Sequence, residues 1–333
     1  MLIPAQAATQ GGCFTYPQAW LVGWTYGLLA SAVGRGQLHR VRKGVWIERS
    51  LWEELDRRGQ HVVEVRADLL ILRKGWHAER RSAAIALHLP LLGPPPPVPQ
   101  LVTEHNCHAT SPYRHVAALP PGHTAVRDGI PLTSLSRTAV DLAREESFLS
   151  AVVAADAVLG LGVRRELLEG VLASMDRWPG VVRAREVLAF ADGLSESALE
   201  SLSRVRCHER ALPPPELQVE VYRGSKLIGR VDKLWRAQRV VGEDDGMGKF
   251  GETDDERQES FRTTYRRGLD LEDTGLVVAR WDWEAAWSND GVLVEERVRK
   301  AFAKAQQSTL DPDIRFVPTT VEDRLRRQNR LAG

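Results

Sequence analysis

The sequence predicts an α+β multidomain chain. A helix-turn-helix with a hairpin leads, a mostly helical middle region follows, and a C-terminal α/β region closes it. Three observations lead there. At 333 residues the chain is longer than one core usually serves. The first fifty residues read as two short capped helices and a basic alternating run. Residues 217–280 read as three strands, a helix and a strand. The expected parts are 1–50, 51–191, 192–290 and a helix with a basic tail over 291–333.

Composition narrows the classes. With 43% hydrophobic and 27% charged residues the chain reads as soluble and globular. Cys13, Cys107 and Cys207 are odd in number and lack metal-ligand spacing, which suits a reducing, cytoplasmic compartment. The most apolar stretch, 148–163, contains Asp156 and is too short to span a bilayer, so no membrane partner is expected. The N-terminus has no cationic start before an apolar run, so no secretory signal is expected. The net charge of +1 hides a gradient. Residues 1–81 hold 12 Lys and Arg against 7 Asp and Glu, a net of +5. Residues 192–290 hold 15 against 21, a net of −6, and residues 291–333 hold 9 against 6, a net of +3. Nucleic acid is therefore expected at the N-terminus.

Taken in order, Thr15 caps a helix with Pro17 in its first turn, and Gly23 ends it. Thr25 caps a second, whose Leu28, Leu29 and Val33 form a buried stripe. LHRVRKGVWI then reads as a hairpin around Arg42-Lys43-Gly44. This is the outline of a small winged helix-turn-helix. Arg35, His39, Arg40, Arg42 and Lys43 gather on it as candidate DNA-binding cations, because wing cations meet phosphates. A hairpin that is basic only for solubility would have the same composition.

The middle region reads as a helix capped by Ser50, a helix over 81–89, and a stiff connector at Gly93-Pro94-Pro95-Pro96-Pro97. A strand at 100–104 precedes His105, Cys107 and His108, which lack a fourth ligand of suitable spacing. Asp128-Gly129 turns into a strand at 130–133, and Ser134 or Ser136 opens a helix through TAVDLARE. Its Arg137, Thr138 and Asp141 read as docking residues without assigned chemistry. Helices follow at 148–159, 164–173 and 183–191, the last two separated by Trp178-Pro179-Gly180.

Ser195 caps the next helix, to 209, and Pro213-Pro214-Pro215 leads into a strand at 217–222. Two β-prone runs, 227–235 and 238–245, then flank Arg236-Ala237. A two-residue loop there places Asp232 opposite Val241, with Glu243 and Asp245 on its face. Three clustered carboxylates repel unless a cation joins them, and Mg²⁺ takes one or two carboxylates plus waters. Lys249 stands within reach to offset phosphoryl charge. A solvated Asp-Asp-Gly turn is the competing account. An Arg-rich helix follows at 254–271, then a strand at 276–280, a helix capped by Asp282, another at 295–307, and a mobile basic end.

The GRVDKLW and EDDG segments resemble the PD-(D/E)XK nuclease fold, and more narrowly the very-short-patch-repair-like endonuclease domains of actinobacterial proteins. The resemblance implies catalytic roles for Asp232, Glu243, Asp245 and Lys249. It implies Mg²⁺ or Mn²⁺ on Asp232, Glu243 and, from the SESALESLSR helix, Glu200, with Glu196 as a further acidic contributor. Asp245 stands where the signature Lys is expected, and Lys249 replaces a His common in relatives. GRGQLHRVRKGVW and PLTSLSRTAVDLARE resemble AbiEi-type antitoxins, which implies repressor-like binding of double-stranded DNA and a cognate nucleotidyltransferase-type toxin. Two functions follow from these likenesses. One is a Mg²⁺-dependent DNA endonuclease in phage defence or DNA maintenance. The other is an antitoxin or repressor of a toxin-antitoxin system whose nuclease-like domain is silent.

Overall fold

The computed structural model describes residues 2–105, 113–246 and 254–331. The chain is α+β and divides into two compact units, Met1–Ala154 with Val163–Ala189, and Ala155–Gly162 with Phe190–Gly333.

The first unit opens with β1 (Phe14–Thr15), α1 (Tyr16–Leu21), α2 (Tyr26–Gly34), β2 (Leu38–Arg42) and β3 (Val45–Glu48). Thr15 caps α1 with Gln18 in a reciprocal capping box, and the Thr25 hydroxyl accepts the Leu28 N–H at 3.2 Å. Leu29 and Ala32 face inward from α2. Leu28 does not, being 49% exposed, because an i, i+1 pair cannot share one helix face. β2 and β3 pair antiparallel, with Gly44 at φ 87° in the turn, where a side chain would be strained.

Two helices follow, α3 (Arg49–Glu54) and α4 (Arg57–Ile71). The first begins at Arg49, so Ser50 is not its cap. Asp56 caps the second, accepting the Gly59 N–H at 2.7 Å. Val63 and Ala67 of α4 share a core with Val45, Ile47 and Cys13, so the first fifty residues do not form a separate body.

The middle region is less helical than expected. β4 (Trp76–Ala78), α5 (Arg80–Ala86), β5 (Leu101–Thr103), β6 (Arg114–Val116), β7 (Thr124–Arg127) and β8 (Ile130–Thr133) build a mixed five-stranded sheet, ordered β6-β5-β4-β8-β7. β5 and β8 lie where strands are expected, whereas β4, β6 and β7, of three or four residues, are too short to show an alternation in sequence. Helices α6 (Leu135–Glu145), α7 (Phe148–Gly160), α8 (Arg165–Ala173) and α9 (Val181–Phe190) follow. Ser134, rather than Ser136, caps α6.

The second unit holds α10 (Ala198–Glu209), β9 (Glu216–Arg223), β10 (Lys226–Trp235), β11 (Val240–Asp244), α11 (Asp254–Glu272), β12 (Val277–Trp281), α12 (Trp283–Trp287), α13 (Val292–Ala305), β13 (Ile314–Pro318) and α14 (Val321–Leu331). Ser197, not Ser195, caps α10. The expected strand-strand-strand-helix-strand order is present, and β12 runs parallel to β11. The sheet order is β12-β11-β10-β9-β13. Leu234 shares a core with Leu271 of α11, while Trp235 meets Phe302 of α13 edge-on at 5.6 Å. Adjacent strand residues face opposite sides, so α11 and α13 cover opposite faces. The basic end is not a loose tail: β13 pairs with β9, and α14 follows it. Asp156 is buried and accepts from Arg204 Nη2 at 2.7 and 2.9 Å, which satisfies its charge inside an apolar helix.

Candidate functional site

Hairpin register decides which acids meet. Trp235 pairs with Val240, Leu234 with Val241 and Lys233 with Gly242. Asp232 is therefore not opposite Val241, and the loop has four residues, 236–239, instead of two. Arg239 adopts φ 58° there, and its guanidinium donates to the carbonyls of Ala305 (2.6 Å) and Ser308 (2.8 Å). Two extra residues preserve parity, so the same register taken one step on sets Asp232 across from Glu243. Instead of a further ladder bond, the Asp232 carboxylate accepts the Asp244 N–H at 2.9 Å.

The contacts of these acids then diverge. Glu243 is buried and takes a guanidinium from Arg267 of α11. Asp245, half-buried beyond β11, accepts from Arg280 at 3.3 Å. Glu196 pairs with Arg230 at 2.7 Å. Lys249 lies outside the described residues. Among the described residues no three His, Cys, Asp or Glu side chains converge as a metal-ligand set.

What the structure does gather is a buried network of Glu200, Asp232, Lys233 and Asp244. Glu200, from the first turn of α10, accepts from the Glu196 N–H (2.9 Å), Ser197 Oγ (2.9 Å) and Gln218 Nε2 (2.8 Å). Burial and the neighbouring Asp232 charge push its carboxyl up to about 7. Lys233 is wholly buried, and its ammonium donates to Asp244. Burial opposes that charge, but Asp244, Glu200 and Asp232 outweigh it and hold the amine above its ordinary range. Asp244 also accepts from Ser203 Oγ (2.6 Å) and Trp281 Nε1 (2.7 Å), and burial raises its carboxyl despite Lys233. Gly242 makes room: a Cβ there would stand 2.5 Å from Trp281 and 2.9 Å from Trp235.

Sequence reasoning missed Lys233, Asp244 and Ser203 as partners. A signal existed, because a lysine inside VDKLW must be buried on one face or the other, and a buried lysine demands a carboxylate.

At the N-terminus the five candidate cations split. Arg35, Arg40 and Lys43 are exposed, and none pairs with a carboxylate among the described residues. Arg42 is turned inward onto Asp68 of α4, which Arg114 also contacts at 3.1 Å. His39 stacks on Trp52 with centroids 4.3 Å apart, and burial together with Arg49 lowers its proton affinity. The outward residues of α2 include Tyr26, Leu28, Ala30 and Ser31, without a cation.

No family model matches the chain. Over 112 residues, 33% of its length, it is 37% identical to two proteins of Mycobacterium tuberculosis. They are Uncharacterized protein MT2308 of strain CDC 1551 / Oshkosh and Uncharacterized protein Rv2248 of strain ATCC 25618 / H37Rv. The match spans 41% of the length of those curated relatives. Among the described residues, no helix is long and apolar enough to cross a membrane.

Proposed function

We propose that the chain is a DNA-binding regulator of the antitoxin-repressor kind. In this reading α1, α2 and the β2–β3 hairpin act as a winged helix-turn-helix, and the second unit is a nuclease-like fold used as a docking body. The observation that carries it is the trio Arg35, Arg40 and Lys43, free of carboxylates at the end of α2 and on the hairpin. Cations placed so exchange condensed counterions for phosphates. Base reading by α2 would rest on the Tyr26 and Ser31 hydroxyls and on apolar contact with thymine methyls. The partners are double-stranded DNA and a nucleotidyltransferase-type toxin. The compartment is a reducing cytoplasm, in keeping with free, buried Cys13 and Cys207 thiols that burial pushes up to about 12. Its test is a gel-shift titration against salt with the chain's own upstream DNA. Retention of full affinity in the Arg40→Ala, Lys43→Ala double variant would end this reading.

A second reading, a Mg²⁺- or Mn²⁺-dependent endonuclease, draws on one observation: Glu200 and Asp232 share a buried neighbourhood in which their charges repel. A divalent cation would relieve that repulsion, and supplies an activated water and a clamp on phosphate when bound. Against it, Glu243 is committed to Arg267 and Asp244 to Lys233, so the described residues alone do not make the site that the resemblance implies. Plasmid nicking by the purified chain with Mg²⁺ or Mn²⁺, abolished in Asp232→Ala, would favour the enzyme. Equal nicking by both proteins would mark a contaminant.

A further inference from the structure

Neither reading uses a cleft of about 340 Å³ in the first unit. It is walled by α6, β6 and the loop carrying Arg177-Trp178-Pro179. That volume falls in the range of small-molecule sites. Its floor is a bridged arginine pair. Arg137 donates from Nε to Asp141 Oδ2 (2.8 Å) and from Nη1 to the Ala118 carbonyl (3.1 Å). Arg144 donates from Nη1 to Asp141 Oδ1 (3.2 Å) and from Nε to the Pro179 carbonyl (2.9 Å). Both arginines are more than nine-tenths buried, yet Nη2 of each makes no hydrogen bond to a described residue. The Trp178 ring lies under both guanidiniums, 5.1 and 4.9 Å from its centroid, and holds them in the wall.

The charges of the wall do not balance. Arg80 meets both Glu145 at 2.7 Å and Glu79 at 3.5 Å, and the Glu79 carboxylate also lies on the His115 ring. Arg137, Arg144 and Arg177 then face the single carboxylate of Asp141. Arg177 is exposed at the rim and pairs with no carboxylate among the described residues. The remaining wall, Val116 and Ala117, is apolar. Purely structural arginines would have their donors spent on the loop they pin; here two terminal nitrogens and a whole guanidinium are left over. Planar guanidiniums suit phosphate oxygens in number and geometry, and the four arginines of the wall outnumber the carboxylates of Glu79, Asp141 and Glu145 by one, a surplus that a phosphate monoester offsets.

We propose that this cleft binds a small phosphate monoester, whose phosphoryl oxygens accept from Nη2 of Arg137 and Arg144 and from Arg177 while its organic part lies against Val116 and Ala117. The test uses the full chain and adenosine monophosphate as probe, by calorimetry and by ³¹P NMR, with sulfate at matched ionic strength as reference. Saturable one-to-one binding is expected. Arg177→Glu removes an exposed side chain with no described partner and reverses its charge, and should weaken binding by about tenfold or more. Val116→Trp fills the mouth without changing charge and should do the same. The Arg40→Ala, Lys43→Ala variant should bind like the parent. Parental affinity in either cleft variant, loss in the hairpin variant, or an equal response to sulfate overturns the proposal. So does binding of a 5′-phosphorylated oligonucleotide by a chain that ignores the mononucleotide, which would make the cleft a nucleic-acid end site.

Discussion

Lys233 and Asp244, on neighbouring strands β10 and β11, form an ion pair closed off from solvent, with Asp244 further held by Ser203 and Trp281. A buried pair adds little net stability over an apolar replacement, but removing one partner strands the other.

Lys233→Met alone and Asp244→Asn alone should each lower unfolding free energy by about 3–5 kcal/mol. The double variant should cost distinctly less than the two combined. Urea unfolding of the four proteins checks this, and strict additivity would show that the two charges are not coupled.

Glu200 makes stability depend on pH. Its folded-state pKa of about 7 exceeds the ordinary 4.5, so the folded chain holds a proton that the unfolded chain releases between those values. Stability from this group is full below 4.5, falls as pH rises, and levels off above about 7. The swing is about 3 kcal/mol at most. Glu200→Gln should flatten that fall, read as the wild-type minus variant difference from pH 4.5 to 7.5. A constant difference across the range would show that Glu200 does not titrate there.

The hairpin cations should separate by role. Arg40→Ala with Lys43→Ala should leave unfolding free energy within about 0.5 kcal/mol and reduce the slope of log affinity against log salt by about 2. Arg42→Ala should instead destabilise by about 1 kcal/mol, since its partly exposed guanidinium serves Asp68. Equal salt slopes in parent and double variant would remove these two residues from the DNA interface.

Gly180 should not tolerate a side chain. Its φ is 82°, and a Cβ would stand 2.1 Å from the Arg144 carbonyl oxygen. Gly180→Ala should destabilise by about 2 kcal/mol or more by forcing the loop off α6. Gly224→Ala, at φ 59° with nothing within 4 Å, meets only the backbone strain and should cost less. Comparable melting temperatures for the two variants would refute the steric account.

Much of the fold was legible where local chemistry decides it. Thr15, Thr25 and Asp282 cap helices as their residue types demand, and the alternation of β9 and β10 marks them as strands. Register was not legible. Arg236-Ala237 carries no Gly or Asn to fix a tight turn, and the loop is instead set by the distant carbonyls of Ala305 and Ser308 that hold Arg239. The Lys233–Asp244 pair depends on that register and was hidden with it. In the five-stranded sheet of the first unit β5 and β8 were legible, whereas β4, β6 and β7 escaped: they carry only three or four residues each, and the pairing that makes them strands joins segments far apart in sequence.

β13 shields the flank of β9 through five paired positions, from Ile314 opposite Arg223 to Pro318 opposite Val219. Cutting the chain before Ile314 would bare a row of unsatisfied amides and carbonyls along β9, an open template for strands of other molecules. β13 thus replaces the eight-residue edge that β9 would offer with a five-residue edge ending in Pro318, and a version cut before Ile314 should self-associate more readily than the longer chain.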